Sequence, residues 1–363
     1  MNISTRKIVI YSTLALGAGC SAATWAFNML SRHGGRDVFP IYQPSHVMLS
    51  PGEPQKVAVI FNPTKPQAEL SCQTIKEQLA QAQWPEALFY ETTVEDPGYQ
   101  VAQKALEHGA QRVIAIGGDG TVREVASALA GSEATLGIVP MGTGNLLARN
   151  LNLAYGDVAE SVNTALYGTP ERVDMIQMKM THRDQSITER RYIIMGGAGF
   201  DAQIMHDTDE KLKTRFGWVA YLQAGLKNLL KPRKSVKITV DDRPPIRRKI
   251  RSVLIANCGQ VQGGVNLTST TNAQDGQLEV IILAPRNLSE WIIVGVQFVL
   301  GPQIFNKRRR VLEHVVGKSA NIKFVREEQP VEIDGDTLPH AIRLQAEVLP
   351  GAVKISLYPQ ESE

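Results

Sequence analysis

The chain has 363 residues, of which 43% are hydrophobic and 21% charged, and its formal net charge is +3. This length and composition suit an ordinary α/β protein with room for two domains, and the small net charge gives no indication of a nucleic-acid partner. Cys20, Cys72 and Cys258 are widely separated, which predicts neither a disulfide framework nor a zinc site. We therefore expect a reduced, cytosol-facing catalytic part.

The N-terminus differs from the rest of the chain. Residues 8–30 contain no charged side chain, and such a length is sufficient to span a bilayer. We predict that residues 1–30 form a single membrane anchor, with a cleaved signal peptide as the alternative. Basic residues flank both ends of the segment, so the positive-inside rule does not set its orientation. Residues 31–54 are polar and rich in proline, and we predict that they form a linker.

From residue 55 the chain alternates between short apolar segments and helical patterns. Hydrophobic spacing predicts strands over 56–61 and 88–93, and helices over 70–83 and 99–108. Two more strand–turn–helix units follow. This alternation predicts an α/β domain over residues 55–170, built on a parallel sheet.

The segment Val-Ile-Ala-Ile-Gly-Gly-Asp-Gly-Thr, at residues 113–121, carries the first indication of function. A short buried strand ends in glycines, which let backbone amides approach a ligand, and the helix that follows offers free N–H groups and the positive end of its dipole. This geometry suits a phosphate group. Asp119 beside a phosphate indicates a cation between them, so we predict a nucleotide–magnesium site. The alternative is that Asp119 only caps the helix.

A second unit of the same kind occupies residues 136–151, where a strand leads into the turn Met-Gly-Thr-Gly-Asn at 141–145. Because the carboxyl ends of parallel strands meet at one edge of a sheet, we expect the two turns to form one site. Neither turn matches G-x-x-x-x-G-K-[ST] or G-x-G-x-x-G, which disfavours a P-loop NTPase and a Rossmann oxidoreductase.

After about residue 170 the pattern changes to short β-like segments, which predicts an all-β-rich sandwich domain over residues 171–358. The predicted strands are 191–195, 235–240, 251–256, 278–283, 321–324, 330–333, 341–348 and 353–357. Helical patterns at 211–230 and 288–305 interrupt them, each next to basic residues that would either dock on anionic lipid headgroups or lie in solvent. Whether the last strand returns to the first domain is left open.

Taken in order, these motifs resemble the catalytic domain of the diacylglycerol kinase family, which includes bacterial lipid kinases and the sphingosine and ceramide kinases. The resemblance spans residues 56–358 and rests on Asn62-Pro-Thr-Lys65, Gly117-Gly-Asp-Gly-Thr121, Pro140-Met-Gly-Thr-Gly-Asn145, Val173-Asp174, Asp275-Gly-Gln-Leu278 and Asp334-Gly-Asp336. NAD kinases and phosphofructokinases are more distant relatives, so the resemblance implies a first domain like theirs. The second glycine turn and the late Asp-Gly pairs separate this family from NAD kinases.

The resemblance implies ATP as the phosphate donor and Mg²⁺ as the metal ion. The implied nucleotide-binding residues are Asn62, Thr93, Gly117, Gly118, Asp119, Gly120, Thr121, Gly142, Thr143, Gly144 and Asn145. Thr92 and Thr93 are not distinguished by the pattern, and Thr93 is our choice.

Three acidic residues complete the implied site. Asp174 would lie near the magnesium ion that Asp119 holds. Asp275 matches a loop that binds a structural metal in some bacterial lipid kinases, although Gln274 stands where that loop usually has a second acid. Asp336 takes the place of the glutamate that the family uses as the proposed base, and its side chain is one methylene shorter.

We therefore expect an ATP-dependent kinase that transfers the γ-phosphate to the hydroxyl of a lipid, diacylglycerol or similar, at a membrane surface. The alternatives are an NAD kinase-like enzyme acting on a soluble metabolite, and a membrane protein that binds nucleotide or lipid with little catalysis because of the Asp336 change. The sequence does not identify the lipid and leaves the oligomeric state open, a homodimer included.

Overall fold

The structure, a computed structural model, describes residues 48–199, 232–259, 267, 272–287, 289–291, 293–294 and 311–359. The predicted anchor, most of the predicted linker, the helical pattern at 211–230 and most of that at 288–305 lie outside the described residues. Among the described helices, none is long and apolar enough to cross a membrane.

The N-terminal part is an α/β domain, as the alternating pattern predicts. Its sheet has the order β2-β1-β3-β4, and all of these neighbours are parallel. Its three inner strands are buried on both faces and therefore consist of almost continuous apolar runs, whereas the edge strand over residues 88–91 is half-buried to exposed. The elements are β1 (Val57–Phe61), α1 (Ala68–Gln81), β2 (Leu88–Glu91), α2 (Tyr99–Glu107), β3 (Arg112–Gly117), α3 (Asp119–Leu129), β4 (Thr135–Pro140), α4 (Leu146–Asn150) and α5 (Val158–Tyr167).

The C-terminal part is a β sandwich. Buried aliphatic side chains from its two sheets meet in one core, which includes Ile176, Ile238, Ile255 and Ile322. The second sheet has the order β12-β11-β10-β7-β14-β15. The strands are β5 (Thr169–Thr181), β6 (Ile187–Tyr192), β7 (Met195–Gly199), β8 (Lys234–Val240), β9 (Ile246–Ile250), β10 (Ser252–Ala256), β11 (Leu278–Leu283), β12 (Leu312–Gly317), β13 (Ser319–Phe324), β14 (Gln329–Ile333), β15 (Asp336–Ala341) and β16 (Arg343–Leu357).

The last strand joins the two domains. β16 runs antiparallel to β5 along nearly its whole length, with an irregularity between Leu349 and Val353. Its final residues then pair in parallel with β4, where Lys354 lies opposite Thr135. The chain therefore returns to the first domain and extends its sheet, and this shared sheet fixes the placement of the sandwich beside the glycine turns.

The prediction of a strand over 191–195 is wrong, and the two strands predicted over 341–348 and 353–357 form the single strand β16. The apolar segment 191–195 is not a single strand, because β6 ends at Tyr192 and β7 begins at Met195. The intervening Ile193 and Ile194 are buried while the chain crosses from one sheet to the other. A continuous apolar run indicates burial on all sides. A segment that crosses between two sheets is buried in this way as well as a central strand, so the pattern does not distinguish them.

Candidate active site

The two glycine turns pack directly against each other. β3 ends at Gly117, β4 ends at Pro140, and the N–H of Met141 donates to the carbonyl of Gly117 over 2.7 Å. A Cβ atom on Gly142 would lie only 3.0 Å from the Cα of Gly118. This approach requires glycine at position 142, whereas a Cβ atom on Gly118 would lie 3.5 Å from the Cα of Gly142, an ordinary van der Waals contact. The predicted proximity of the two turns is therefore observed.

Asp119 links the two turns. It lies in the first turn of α3, yet its Oδ1 accepts the N–H of Leu146, at the start of α4, over 2.7 Å. Burial raises the pKa of Asp119 above its ordinary value, and the backbone N–H groups of residues 145–147 partly oppose this rise. The carboxylate thus caps the neighbouring helix α4, and its Oδ2 lies 2.9 Å from the Cβ position of Gly144 in the second turn.

The remaining turn residues divide into buried and accessible groups. Asn145 adopts a left-handed backbone conformation (φ 47°), and its Oδ1 accepts the N–H of Gly142 over 2.8 Å. Thr121 is buried against Gly117, where an added Cβ would lie 2.7 Å from the threonine Cβ. Thr143 is exposed at the tip of the second turn. Asn145 and Thr121 therefore shape the turns from within, and Thr143 offers its hydroxyl to a ligand.

Asn62 and Thr93 lie at the same edge of the sheet as the glycine turns. The N–H of Asn62 donates to the carbonyl of Ile116 over 3.0 Å, which places the end of β1 beside the end of β3. Thr93 follows β2 and is exposed, with its hydroxyl accepting the N–H of Asp96, whereas Thr92 is buried. The exposure of the two threonines thus distinguishes them where their sequence did not.

Asp334-Gly335 forms the two-residue loop of the β14–β15 hairpin. Ile333 pairs with Asp336, and the loop residues have φ values of 49° and 89°. Positive φ at both positions is typical of a type I′ turn, for which Asp-Gly is a favoured sequence. The motif is therefore first a turn, and this turn places Asp336 at the beginning of β15.

Asp336 reaches the edge of the first domain that carries the two glycine turns. A Cβ atom on Gly120 would lie 3.7 Å from Asp336 Oδ2, and the same oxygen accepts a hydrogen bond from Arg123 over 2.6 Å. The side chain of Asp336 is 57% exposed, so a substrate can approach it. The hairpin thus brings the second predicted catalytic acid to the first turn of α3.

The prediction from sequence missed Arg123. Its side chain is only 12% exposed, and besides Asp336 it donates to the carbonyl of Ile333 over 3.3 Å. Arg123 lies four residues after Asp119 on α3, which places both residues on one face of the helix. That spacing, with a cation one turn after the predicted phosphate site, is the sequence signal that was available.

Asp334 is the second residue whose importance was missed. It is buried, and its Oδ1 accepts the N–H of Met195 over 3.0 Å. The pKa of Asp334 is raised to about 7, mainly by burial and less by the carboxylates of Asp119 and Asp336, while the Met195 N–H and Arg123 oppose the rise. The carboxylates of Asp334, Asp336 and Glu124 therefore share the Arg123 guanidinium, which leaves an excess of negative charge around the turn.

The structure separates Asp174 and Asp275 from Asp119. The two oxygens of Asp174 accept the N–H groups of Gly276 (2.6 Å) and Gly351 (2.7 Å), and Asp275 accepts those of Asn272 and Gln277 within its own loop. Gly351 lies beside Ala352, whose carbonyl accepts the N–H of Gly131, just past the end of α3.

Asp119 begins α3, and a helix of 11 residues is about 16 Å long at ~1.5 Å per residue. Asp174 and Asp119 therefore lie toward opposite ends of α3 and cannot ligate one ion, which corrects the metal role expected for Asp174. Within the described ranges there is no group of three or more acidic, histidine or cysteine side chains that could hold a metal. The acid at position 174 instead ties backbone turns together.

Comparison with known families identifies a kinase. Residues 56–178 match the diacylglycerol kinase catalytic domain, and residues 195–357 match the YegS C-terminal NAD kinase beta sandwich-like domain. The two matches together span most of the chain. The chain therefore belongs to the diacylglycerol kinase catalytic-domain family, as its motifs predict, and is a kinase of the diacylglycerol kinase and YegS type.

Individual relatives agree with this assignment. The diacylglycerol kinase of Bacillus subtilis (strain 168) is 29% identical over 294 residues, which are 78% of this chain and 90% of that protein. A Klebsiella pneumoniae (strain 342) protein named probable lipid kinase YegS-like is 33% identical over 198 residues, which are 51% of this chain and 60% of that protein. The crystal structure of a putative diacylglycerol kinase from Bacillus anthracis has the same fold, with a TM-score of 0.65 at 24% identity over 85% of this chain and 99% of the other.

Proposed function

We propose that this kinase uses ATP to phosphorylate the hydroxyl group of a lipid, diacylglycerol or a similar molecule. The observation that carries the proposal is the meeting of Asp336 with α3. An acid that could accept a proton lies within 3.7 Å of the Cβ position of Gly120, in a turn suited to phosphate. The names of the relatives, diacylglycerol kinase and lipid kinase, support a lipid as the acceptor.

The polyphosphate of ATP would lie on the two packed turns. The first turn of α3 supplies backbone N–H groups that have no acceptor within the helix. It also supplies the positive end of the dipole of this 11-residue helix. The close approach of Gly118 and Gly142 keeps side chains away from this surface. Thr143, Asn62 and Thr93 lie along the same edge, where each strand ends, and would contact the rest of the nucleotide.

The residues present also fit Mg²⁺. Asp119 presents a carboxylate at the first turn of α3, and close to it Asp334, Asp336 and Glu124 outnumber the one guanidinium that they share. Magnesium typically takes one or two carboxylates together with substrate phosphates, so a protein cage of three acids is not needed. Bound there by Asp119, Mg²⁺ would neutralise the charge that develops on the phosphoryl group.

The oxygen of the lipid hydroxyl would attack the γ-phosphorus while the bond to the β-phosphate breaks and ADP leaves, and Asp336 would accept the hydroxyl proton. Its exposure lets the hydroxyl come within the ~2.6–3.2 Å that direct proton transfer needs. Arg123 fixes the position of the carboxylate through Oδ2, which leaves Oδ1 to face the substrate. The same bond joins the nucleotide domain to the sandwich, so proton acceptor and phosphate site are held in one arrangement.

A lipid substrate implies that the enzyme acts at a membrane. We include in the proposal that residues 1–30 anchor the chain and that the two catalytic domains lie on the cytoplasmic side, where ATP is available.

The decisive test is phosphate transfer from radiolabelled ATP with magnesium to a lipid panel of diacylglycerol, monoacylglycerol, ceramide, a sphingoid base and phosphatidylglycerol. We expect one labelled lipid, lost in Asp119→Ala and Asp336→Asn. Asp184→Asn, in the exposed β5–β6 loop, is the matched control and should retain activity. Label in NAD and in no lipid would replace the proposal with a soluble-metabolite kinase, and label that survives Asp119→Ala would refute the mechanism.

A further inference from the structure

A row of cations crosses four neighbouring strands, β16, β13, β8 and β9, of the sheet that the two domains share. Arg343 on β16 lies opposite Lys323 on β13, Lys323 lies opposite Lys237 on β8, and Lys237 lies opposite Arg247 on β9. Residues directly opposite in a sheet point to the same face. Four positive side chains are therefore aligned over about 14 Å, the span of three strand spacings.

The row lies on the outer face of the sandwich. Along each strand the neighbours of these cations, among them Val236, Ile238, Ile322 and Leu344, are buried in the core between the sheets. Lys237, Lys323 and Arg247 are exposed, and Arg343 is half-buried. Lys249, two residues after Arg247, adds a fifth cation to the same face, which we call the cationic face (Lys237, Arg247, Lys249, Lys323 and Arg343).

Little negative charge compensates this face. Arg343 Nε donates to the neutral Asn321 over 2.9 Å, and none of the five cations forms an ion pair with a carboxylate in the part of the chain that the structure describes. Like charges placed directly opposite each other destabilise a sheet. Three consecutive cation–cation pairings are therefore unfavourable for the isolated domain and point to an anionic partner.

The cationic face continues into a basic groove. A cavity of about 320 Å³ lies at the end of β8 and β9, and Lys249 contributes to both the face and the groove. Arg233, Lys234 and Arg326 are also part of its lining, and its one acidic residue, Glu327, pairs with Lys234. The groove is large enough for a phosphate-bearing headgroup, and its free cations match that charge.

We propose that the cationic face docks on a bilayer rich in anionic phospholipid. The inference rests on the proposed lipid-kinase function, because a lipid substrate requires the enzyme to work at such a surface. A sheet face with no aromatic side chain among the residues that flank the row (Ser235, Thr239, Asn321, Gln345) lacks the stacking platform typical of single-stranded nucleic-acid sites. Each basic residue near an anionic membrane strengthens binding by about fivefold.

The first test is lysine footprinting of the full-length wild-type protein. Lysines are acetylated with and without vesicles, and the modified peptides are quantified by mass spectrometry. With vesicles of phosphatidylglycerol and phosphatidylcholine in equal amounts, we expect Lys237, Lys249 and Lys323 to react several-fold more slowly. Lys56 and Lys104, exposed in the α/β domain, are internal controls and should react unchanged.

Pure phosphatidylcholine vesicles separate docking from insertion of the N-terminal segment. Protection of the three lysines that is equal in both kinds of vesicle, or absent from both, would overturn the proposal. Protection by duplex DNA or RNA but not by anionic vesicles would assign the face to nucleic acid instead. High salt should abolish the protection, because exposed charges are then screened.

The second test measures kinase activity in mixed micelles that contain the lipid substrate found in the radiolabel assay and increasing amounts of phosphatidylglycerol. Activation by phosphatidylglycerol should weaken by at least about 25-fold in Lys237→Glu/Lys323→Glu, because the loss of two cations costs about fivefold each and the anionic surface also repels the two added carboxylates. The charge-matched control Lys56→Glu/Lys104→Glu should behave like the wild type. If the wild type labels no lipid, the proposed function fails, and the footprinting experiment still decides whether the cationic face docks on the membrane. If the wild type labels a lipid and phosphatidylglycerol activates both double variants equally, only the docking proposal fails.

Discussion

Arg123 and Asp336 are separated by 213 residues in the chain and joined by a hydrogen bond of 2.6 Å. One residue belongs to the helix that follows the phosphate turn, and the other begins a strand of the sandwich. The pair therefore couples the position of the proposed proton acceptor to the position of the phosphate groups. It also provides a fixed partner for an aspartate that is shorter than the glutamate expected from the resemblance.

Replacing Arg123 tests this coupling. Arg123→Gln should lower kcat by about 100-fold, because a displacement of a catalytic group by only ~1 Å lowers the rate by about that factor. Arg123→Lys, which keeps the charge without the planar fork, should retain more activity. The control is Arg172→Gln, which removes an exposed pair with Glu133. Steady-state kinetics distinguish the outcomes, since a raised KM for ATP with unchanged kcat would mean that Arg123 binds nucleotide and does not position Asp336.

Gly142→Ala tests the close packing of the turns. The added Cβ would lie 2.8 Å from Asn145 Oδ1 and 3.0 Å from Gly118 Cα, and backbone on one side cannot easily move. We expect a loss of about 1–3 kcal/mol in the free energy of unfolding, as for other overpacked sites, and weaker ATP binding. Gly52→Ala is the control, because nothing lies within 4 Å of its Cβ position. Urea unfolding and nucleotide titration measure both effects, and a stable variant with normal ATP affinity would show that the turns tolerate separation.

Asp119 has two separable roles, a cap for α4 and a charge beside the phosphates. Asp119→Asn keeps an oxygen that can accept the Leu146 N–H but removes the charge, so it should fold normally and lose phosphate transfer. Asp119→Ala removes both and should also lose about 1 kcal/mol of stability, the usual cost of a deleted cap. Parallel measurement of unfolding and transfer decides this. Full activity in Asp119→Asn would leave Asp119 with the cap alone.

Local patterns account for the features that were predicted correctly. The strands that end at Gly117 and Pro140 are short, mainly apolar runs with a glycine at or within two residues of their end, and continuous apolar runs are typical of the buried strands of a parallel sheet. The two-domain division followed from the change from helix-period to strand-period spacing. The meeting of the two turns followed from a general rule about parallel strands rather than from any one residue.

Long-range contacts account for what was missed. The bond from Arg123 to Asp336 and the parallel pairing of β16 with β4 each join distant segments, and no local spacing records them. Asp174 was assigned to a metal from its motif, but its neighbours are two backbone N–H groups that only the fold brings to it. The roles of Asp174 and Arg123 depend on which distant segments meet in the fold, so the sequence alone did not show which of the two residues belongs to the site.

Asp334 predicts a specific dependence of stability on pH. Its pKa is about 7 in the folded protein, mainly because of burial, and about 3.9 in an unfolded chain. Between these values the folded state binds the extra proton, so the free energy of unfolding falls as pH rises from about 4 to about 7 and this contribution is flat outside that window. Asp334→Asn keeps the acceptor for the Met195 N–H and suits the left-handed turn position, but it has no proton to lose.

The prediction concerns the difference between the wild type and this variant, because other groups titrate equally in both. Urea unfolding across that range should show Asp334→Asn becoming progressively more stable relative to the wild type as pH rises, with the change complete just above neutrality. A constant difference at all pH values would mean that Asp334 is ionised throughout. Arg123 would then balance the charge of Asp334, and the negative electrostatic potential around the glycine turn would be weaker than the positions of the acids indicate.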